Sequence, residues 1–197
     1  MGINWTWQSR FHIHKVAFRG AMTAGNNPTI DRSKLGTKRH ILTDKKGIPL
    51  SVVISSASTH DIKLVTDVVD NSVIKQRPSS YKPKSEKRRK LQHLCLDKAY
   101  NSKQVEQELI KRGYVVYITY KRKKSEKYED EEIKTKTKPN LNRKKYSAKR
   151  WVVERTNLWH NRFQKLFTRY EKKVENYLGL VQFSCCCIII YRRVILG

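Results

Sequence analysis

The segment Lys38–Ser55 constrains the fold more than any other. Lys38–Thr43 alternates weakly, Asp44-Lys45-Lys46-Gly47 has turn chemistry, and Ile48–Ser55 is an apolar strand pattern. Two strand patterns joined by so short a turn must pair antiparallel. The later strand patterns are separated by helices, which is how parallel strands are joined. Leu94-Cys95-Leu96 is a short buried-strand run ending at Asp97. Ser102 starts a helix running to about Arg112, Gly113 closes it, and Tyr114–Tyr120 is another strand. A chain with both kinds of connection folds as α/β around a mixed sheet.

Further elements fill in around this frame. Strand-like residues lie around Trp5 to Val16, followed by a Gly/Asn/Pro-rich turn from Gly20 to Pro28. Thr59-His60-Asp61 supplies cap chemistry ahead of a helix on which Ile62, Val65, Val69 and Val73 can share a face. Residues 75–90 form an exposed basic loop with Pro78 and Pro83. Residues 121–145 are almost all charged, with an acidic block at Glu129–Glu132, and predict a solvated loop. Two long helical patterns end the chain, Ala148–Lys173 and Glu175–Arg193. The whole, 1–197, is expected to be one domain with a basic insertion at about 120–147.

Charge limits the partner. Lys and Arg number 43 against 17 Asp and Glu, a formal net charge of +26. Such a surplus calls for a polyanion, with nucleic acid first and an acidic membrane second. The apolar run Tyr177–Tyr191 is shorter than the ~18–20 residues that span a bilayer, so no membrane partner is expected. Cys185, Cys186 and Cys187 adjoin inside that run and Cys95 sits in a strand pattern. They suit a reducing compartment, and a cytoplasmic, nucleoid-associated location in a bacterium or archaeon is expected.

Two carboxylates stand out. Asp97 follows a strand directly, where α/β proteins place ligand-binding groups, though a turn-opening Asp is the commoner case. On the helix pattern beginning near Ala148, Val152, Trp159, Phe163, Leu166, Phe167 and Tyr170 fall on one side as a core stripe. Opposite them Glu154 stands among Arg150, Asn161, Lys165, Arg169 and Lys172. It is either an i,i+4 partner for Arg150 or a metal ligand flanked by phosphate-binding cations, and helical geometry does not choose. His12 and His14 lack further zinc-spaced ligands, and His60-Asp61 is better read as a helix cap than as a catalytic dyad.

A longer pattern resembles a known family. Gly25-Asn26-Asn27-Pro28, Asp31-Arg32-Ser33-Lys34, Gly36-Thr37-Lys38-Arg39-His40, Gly47-Ile48-Pro49-Leu50 and His60-Asp61 occur in order. Leu96-Asp97-Lys98-Ala99-Tyr100, Arg150-Trp151-Val152-Val153-Glu154-Arg155, Arg162, Leu166 and Arg169-Tyr170 follow. Together they resemble the insertion-sequence transposases of the IS-four/IS-five superfamily. The resemblance implies a ribonuclease-H-like mixed sheet flanked by helices and carrying a DDE carboxylate triad. Asp97 matches the second Asp and Glu154 the closing Glu, both as catalytic metal ligands for Mg²⁺ or Mn²⁺. Arg32, Lys34, Lys38, Arg39, Arg150, Lys165 and Arg169 are then candidates for phosphate contacts. The implied partner is double-stranded DNA at insertion-element ends, cut and rejoined by a homodimer. The pattern departs from the family at the opening strand, where Phe11 stands about where the first Asp belongs and residues 1–30 hold no Asp or Glu. Ser147 and Asn161 replace an expected Tyr and Lys. These departures, with a start almost at the first strand, imply a truncated copy with impaired metal binding. The alternative function is a catalytically dead, non-specific DNA-binding remnant.

Overall fold

The computed structural model describes residues 4–6, 13–17, 21, 23–26, 35–74, 92–96, 100, 102–118 and 150–195. The two basic segments expected as loops lie outside these residues.

The hairpin forms as expected and is the centre of the molecule. β4 (Leu35–Asp44) and β5 (Pro49–Ser56) pair antiparallel from Thr37↔Ser56 to Thr43↔Pro49. Asp44 builds the turn. Its carbonyl accepts from the Gly47 N–H at 3.0 Å, and its Oδ1 accepts from the N–H groups of Lys46 and Ile48, each at 2.8 Å. Gly47 sits at φ +84°, and a Cβ there would lie 3.0 Å from Thr156 Oγ1 and 3.1 Å from Arg155 Nη2. Gly47→Ala is therefore expected to cost about 1–2 kcal/mol, from the left-handed backbone and the crowding together. Urea denaturation of the two proteins checks it.

The other edge of β4 carries β1 (Asn4–Thr6), which meets Thr43 and Asp44, and β2 (Ile13–Val16), which meets Gly36 to Lys38, both antiparallel. β3 (Gly25–Asn26) pairs with Leu35 and Gly36. β1 runs parallel to β6 (Gln92–Leu96), and β6 runs parallel to β7 (Tyr114–Ile118). Across the hairpin the order is β5-β4-β1-β6-β7, with β4 alone running against the rest. The expected mixed α/β architecture is correct.

Alternation along the strands assigns the two faces, broken in β5 by a register shift between Leu42 and Thr43 that sets Leu50 on the face opposite Val52 and Ile54. Leu42, Leu50, Leu94, Leu96, Tyr114 and Val116 face one side, where they pack on α1 (Val65–Asp70) and α2 (Lys103–Lys111) through Val65, Val68, Val69 and Leu109. His60 caps the 3₁₀ turn Asp61–Leu64 before α1, its ring nitrogen accepting from the Ile62 N–H. α1 ends at Asp70, so Val73 does not extend the apolar face. It is 78% exposed, and Val68 fills the role instead. The opposite side of the sheet, with Val52 and Ile54, packs on α5 (Val174–Ile190). α5 buries Tyr177, Val181, Ser184 and Ile188, a stripe at helical spacing.

The helix expected over Ala148–Lys173 is broken. α3 (Arg150–Arg162) stops before Phe163, α4 (Gln164–Phe167) is a single turn, and β8 (Thr168–Arg169) pairs parallel with β2. The apolar stripe therefore does not continue. Leu166 is buried, but Phe167 at the end of α4 and Tyr170 beyond β8 are exposed, because the break at Phe163 re-aims the chain. At the C-terminus, α5 and the π-helical turn Tyr191–Ile195 include Val174–Val194, 21 residues holding an 18-residue window of mean hydropathy 1.4. That stretch is longer than the expected apolar run and by length and composition could cross a bilayer. Of that window 28% is buried, in a stripe against β5, and a single helix of this kind is weak grounds for a span.

Candidate functional site

α3 presents Glu154. Its buried side consists of Val152, Val153, Thr156, Asn157 and His160, while Trp151, Leu158 and Arg162 face outward. Glu154 is half-buried on the boundary. Asn161 lies two helical turns further on the same flank, and its Oδ1 accepts from Arg39 Nη2 of β4 at 2.7 Å. The opposite flank is pinned to the hairpin turn. Thr156 Oγ1 donates to the Gly47 carbonyl and Arg155 Nη2 to the Lys46 carbonyl, each at 2.7 Å. The helix α3 is thus held against β4, whose Arg39 and Ile41 share a sheet face, by alternation, with His93 and Cys95 of β6. Asp97, Arg32 and Lys34 lie outside the described residues, as does the side chain of Arg150.

The remaining cations divide sharply. Lys38 is buried, donates to the Thr59 carbonyl at 2.8 Å and pairs with Asp61 at 3.2 Å. Burial pushes the Asp61 carboxyl up from its ordinary pKa, and Lys38 opposes that rise. Arg169 is fully buried and donates to Thr37 Oγ1 and to the carbonyls of Glu171 and Lys172, with its guanidinium over the Tyr177 ring. Arg39 is buried too, and its Nε and Nη1 find no hydrogen-bond acceptor among the described residues. Desolvation lowers the pKa of both arginines, with Tyr177 opposing it. Lys38, Arg39 and Arg169, expected to present charge to phosphate, are all buried here. β4 is covered on both faces and Arg169 sits in β8, so these charges serve the interior. Lys165, on α4, is exposed.

A polar knot ties α3 to α5. His160 Nδ1 lies 2.6 Å from Ser184 Oγ, and Cys185 Sγ is 3.8 Å from His160 Nε2. The Cys185 thiol is pushed up to about 12, mainly by burial, so it stays protonated beside the imidazole and is no nucleophile. Among the described residues, no group of three or more His, Cys, Asp or Glu side chains could hold a metal ion.

The profile of the transposase DDE domain family matches residues 14–189, from β2 into α5. This chain belongs to that family. It is also 28% identical over 169 residues to a Burkholderia cepacia protein described as a transposase for insertion sequence element IS402. That alignment covers 86% of this chain and 69% of the relative. No solved structure matches. Two features on the helix that carries Glu154 escaped the sequence reading. Asn161, where the IS-four/IS-five pattern expects Lys, is the hydrogen-bond partner of Arg39. Trp151, Arg155 and Trp159 recur every fourth residue and form a stacked ladder, a spacing visible in the sequence.

Proposed function

We propose that this chain is the ribonuclease-H-like catalytic domain of an insertion-element transposase of the IS-four/IS-five kind, binding double-stranded DNA at element ends. The observation that carries the reading is the strand order β5-β4-β1-β6-β7 with only β4 reversed, found in a chain that belongs to the transposase DDE domain family. In that order β6 is an inner strand, and Asp97 is the next residue in sequence after its end at Leu96. Glu154 rides on the helix over the face that His93 and Cys95 share. These two carboxylates are the proposed metal ligands and catalytic residues. Carboxylate oxygens suit Mg²⁺ or Mn²⁺ in donor type, but two of them do not complete a site. Were Asp97 and Glu154 to hold divalent ions, the chemistry supplied would be charge stabilisation in DNA cleavage and strand transfer. A homodimer is the proposed active form, since two element ends are cut.

Phosphate contacts are assigned to Arg32, Lys34, Arg150 and Lys165. Lys38, Arg39 and Arg169 are assigned to the interior. The second reading, a DNA-binding remnant that no longer cuts, is favoured by Phe11 in the opening strand pattern. Both readings require duplex binding driven by counterion release. The expected result is an affinity that falls linearly in log–log form with salt, and a slope reduced by about one in Lys165→Gln. Anisotropy titrations at several salt concentrations measure it. A slope near zero removes nucleic acid as the partner.

A further inference from the structure

We infer that the corner where α3, the hairpin turn and the C-terminal π-turn meet is a docking site for unpaired DNA, with the Trp151 indole stacking on a base. This rests on the DNA reading above and extends it to a specific surface. The Arg155 guanidinium carbon lies 4.7 Å from the Trp151 ring centre and 5.3 Å from that of Trp159. Arg192 lies 5.1 Å from the other ring contact, Trp159. The four side chains thus make a ladder of Trp151, Arg155, Trp159 and Arg192. Arg155 and Arg192 both donate to the one Lys46 carbonyl, at 2.7 and 2.6 Å. Two guanidiniums therefore converge on a single acceptor beside the exposed Lys45 and Lys46. Like charges held this close are stabilised by a polyanion.

The outer rung selects the form of DNA. Trp151 is 54% exposed, and Arg155 stacks on its ring. Nothing in the attachment of α3 to the hairpin needs the Trp151 ring, because Arg155, Arg192 and Thr156 make those bonds. A flat aromatic surface flanked by phosphate-binding cations accepts the π-face of a base. In a duplex that face is stacked away, so only an unpaired nucleotide can add to the ladder.

The test measures binding of labelled oligo-dT and of a blunt duplex by anisotropy, with the full chain, Trp151→Ala and Trp151→Phe. Trp151→Ala is expected to weaken oligo-dT binding about tenfold and duplex binding less than twofold, and Trp151→Phe to recover most of the loss. Indole fluorescence of the unaltered chain should be quenched by oligo-dT, with less quenching in Trp151→Phe. Unchanged single-strand affinity in Trp151→Ala, or an equal loss on both ligands, overturns the proposal. So does a change in the mass of the unbound protein with single-strand affinity intact, which assigns the indole to contact between copies. If the unaltered chain binds neither ligand at low salt, the DNA reading itself fails. If it binds duplex normally and only the Trp151 effects are missing, the ladder alone fails.

Discussion

At pH 4 this protein should be about 3 kcal/mol less stable than at neutral pH on account of one residue, with about 2 kcal/mol already gone by pH 5. His40 is 1% exposed in the middle of β4, and its Nε2 lies 2.8 Å from Ser55 Oγ of the partner strand. Burial, with Lys38 adding to it, pushes the imidazole down to about 4 from an ordinary 6.5. The folded state therefore holds His40 neutral where the unfolded chain binds a proton. Stability contributed this way is complete above about pH 6.5 and is lost as pH falls towards the folded value. Asp61 acts in the opposite direction, since its raised carboxyl takes up a proton more readily in the folded state, but Lys38 limits that effect. Against a typical total of about 5–15 kcal/mol, the loss is large enough to read directly. Urea denaturation at pH 7, 5 and 4 is the measurement. His40→Gln, which stays neutral, should flatten most of the dependence. An equally steep loss in His40→Gln would place the titrating group elsewhere.

The same strand shows where sequence reasoning succeeds and where it stops. Asp44-Lys45-Lys46-Gly47 specifies its turn locally, through an Asp side chain that caps two N–H groups and a Gly that takes positive φ. Leu94-Cys95-Leu96, the helix after Ser102 and its stop at Gly113 were equally legible, because their signals are short-range. The burial of Lys38, Arg39 and His40 was not. A charged residue in a hairpin strand ordinarily faces water, and only the arrival of helices on both faces of β4 turns it inward. Distance in the chain is the obstacle, since Asn161 meets Arg39 from 122 residues away. The break at Phe163 has a similar cause. The 3.6-residue pattern runs on through Tyr170, yet Thr168 and Arg169 pair with Lys15 and Val16 instead, a choice made by the sheet edge. Glu154 was legible as a lone carboxylate in a basic helix, but not which neighbours would hold that helix over the sheet.

Strand transfer by this chain should be negligible, and restoring one carboxylate in the opening strand pattern should raise cleavage on the order of a thousandfold, the scale of a lost transition-state contact. The proposed ligands Asp97 and Glu154 bring two negative charges to a chain whose net charge is +26. A divalent pair needs more oxygen donors, and the surrounding cations oppose its entry. Phe11 contributes a ring with no donor atom. The sheet register gives a second position to test. β1 pairs with β6 at Thr6↔Cys95, and two residues further in each sequence stand Gln8 and Asp97. Phe11→Asp and Gln8→Asp should therefore be compared, each with and without Glu154→Gln, on plasmid and end-containing DNA in Mg²⁺ and Mn²⁺. Metal affinity, read by calorimetry, should improve before cutting does, because a site must fill before it can act on a phosphodiester. A gain confined to Gln8→Asp moves the missing ligand from position 11 to position 8. Loss of that gain in the Glu154→Gln background ties it to the proposed pair. Strong cleavage by the unaltered chain, abolished by Glu154→Gln, means that another group already fills the first position and that the remnant reading is wrong.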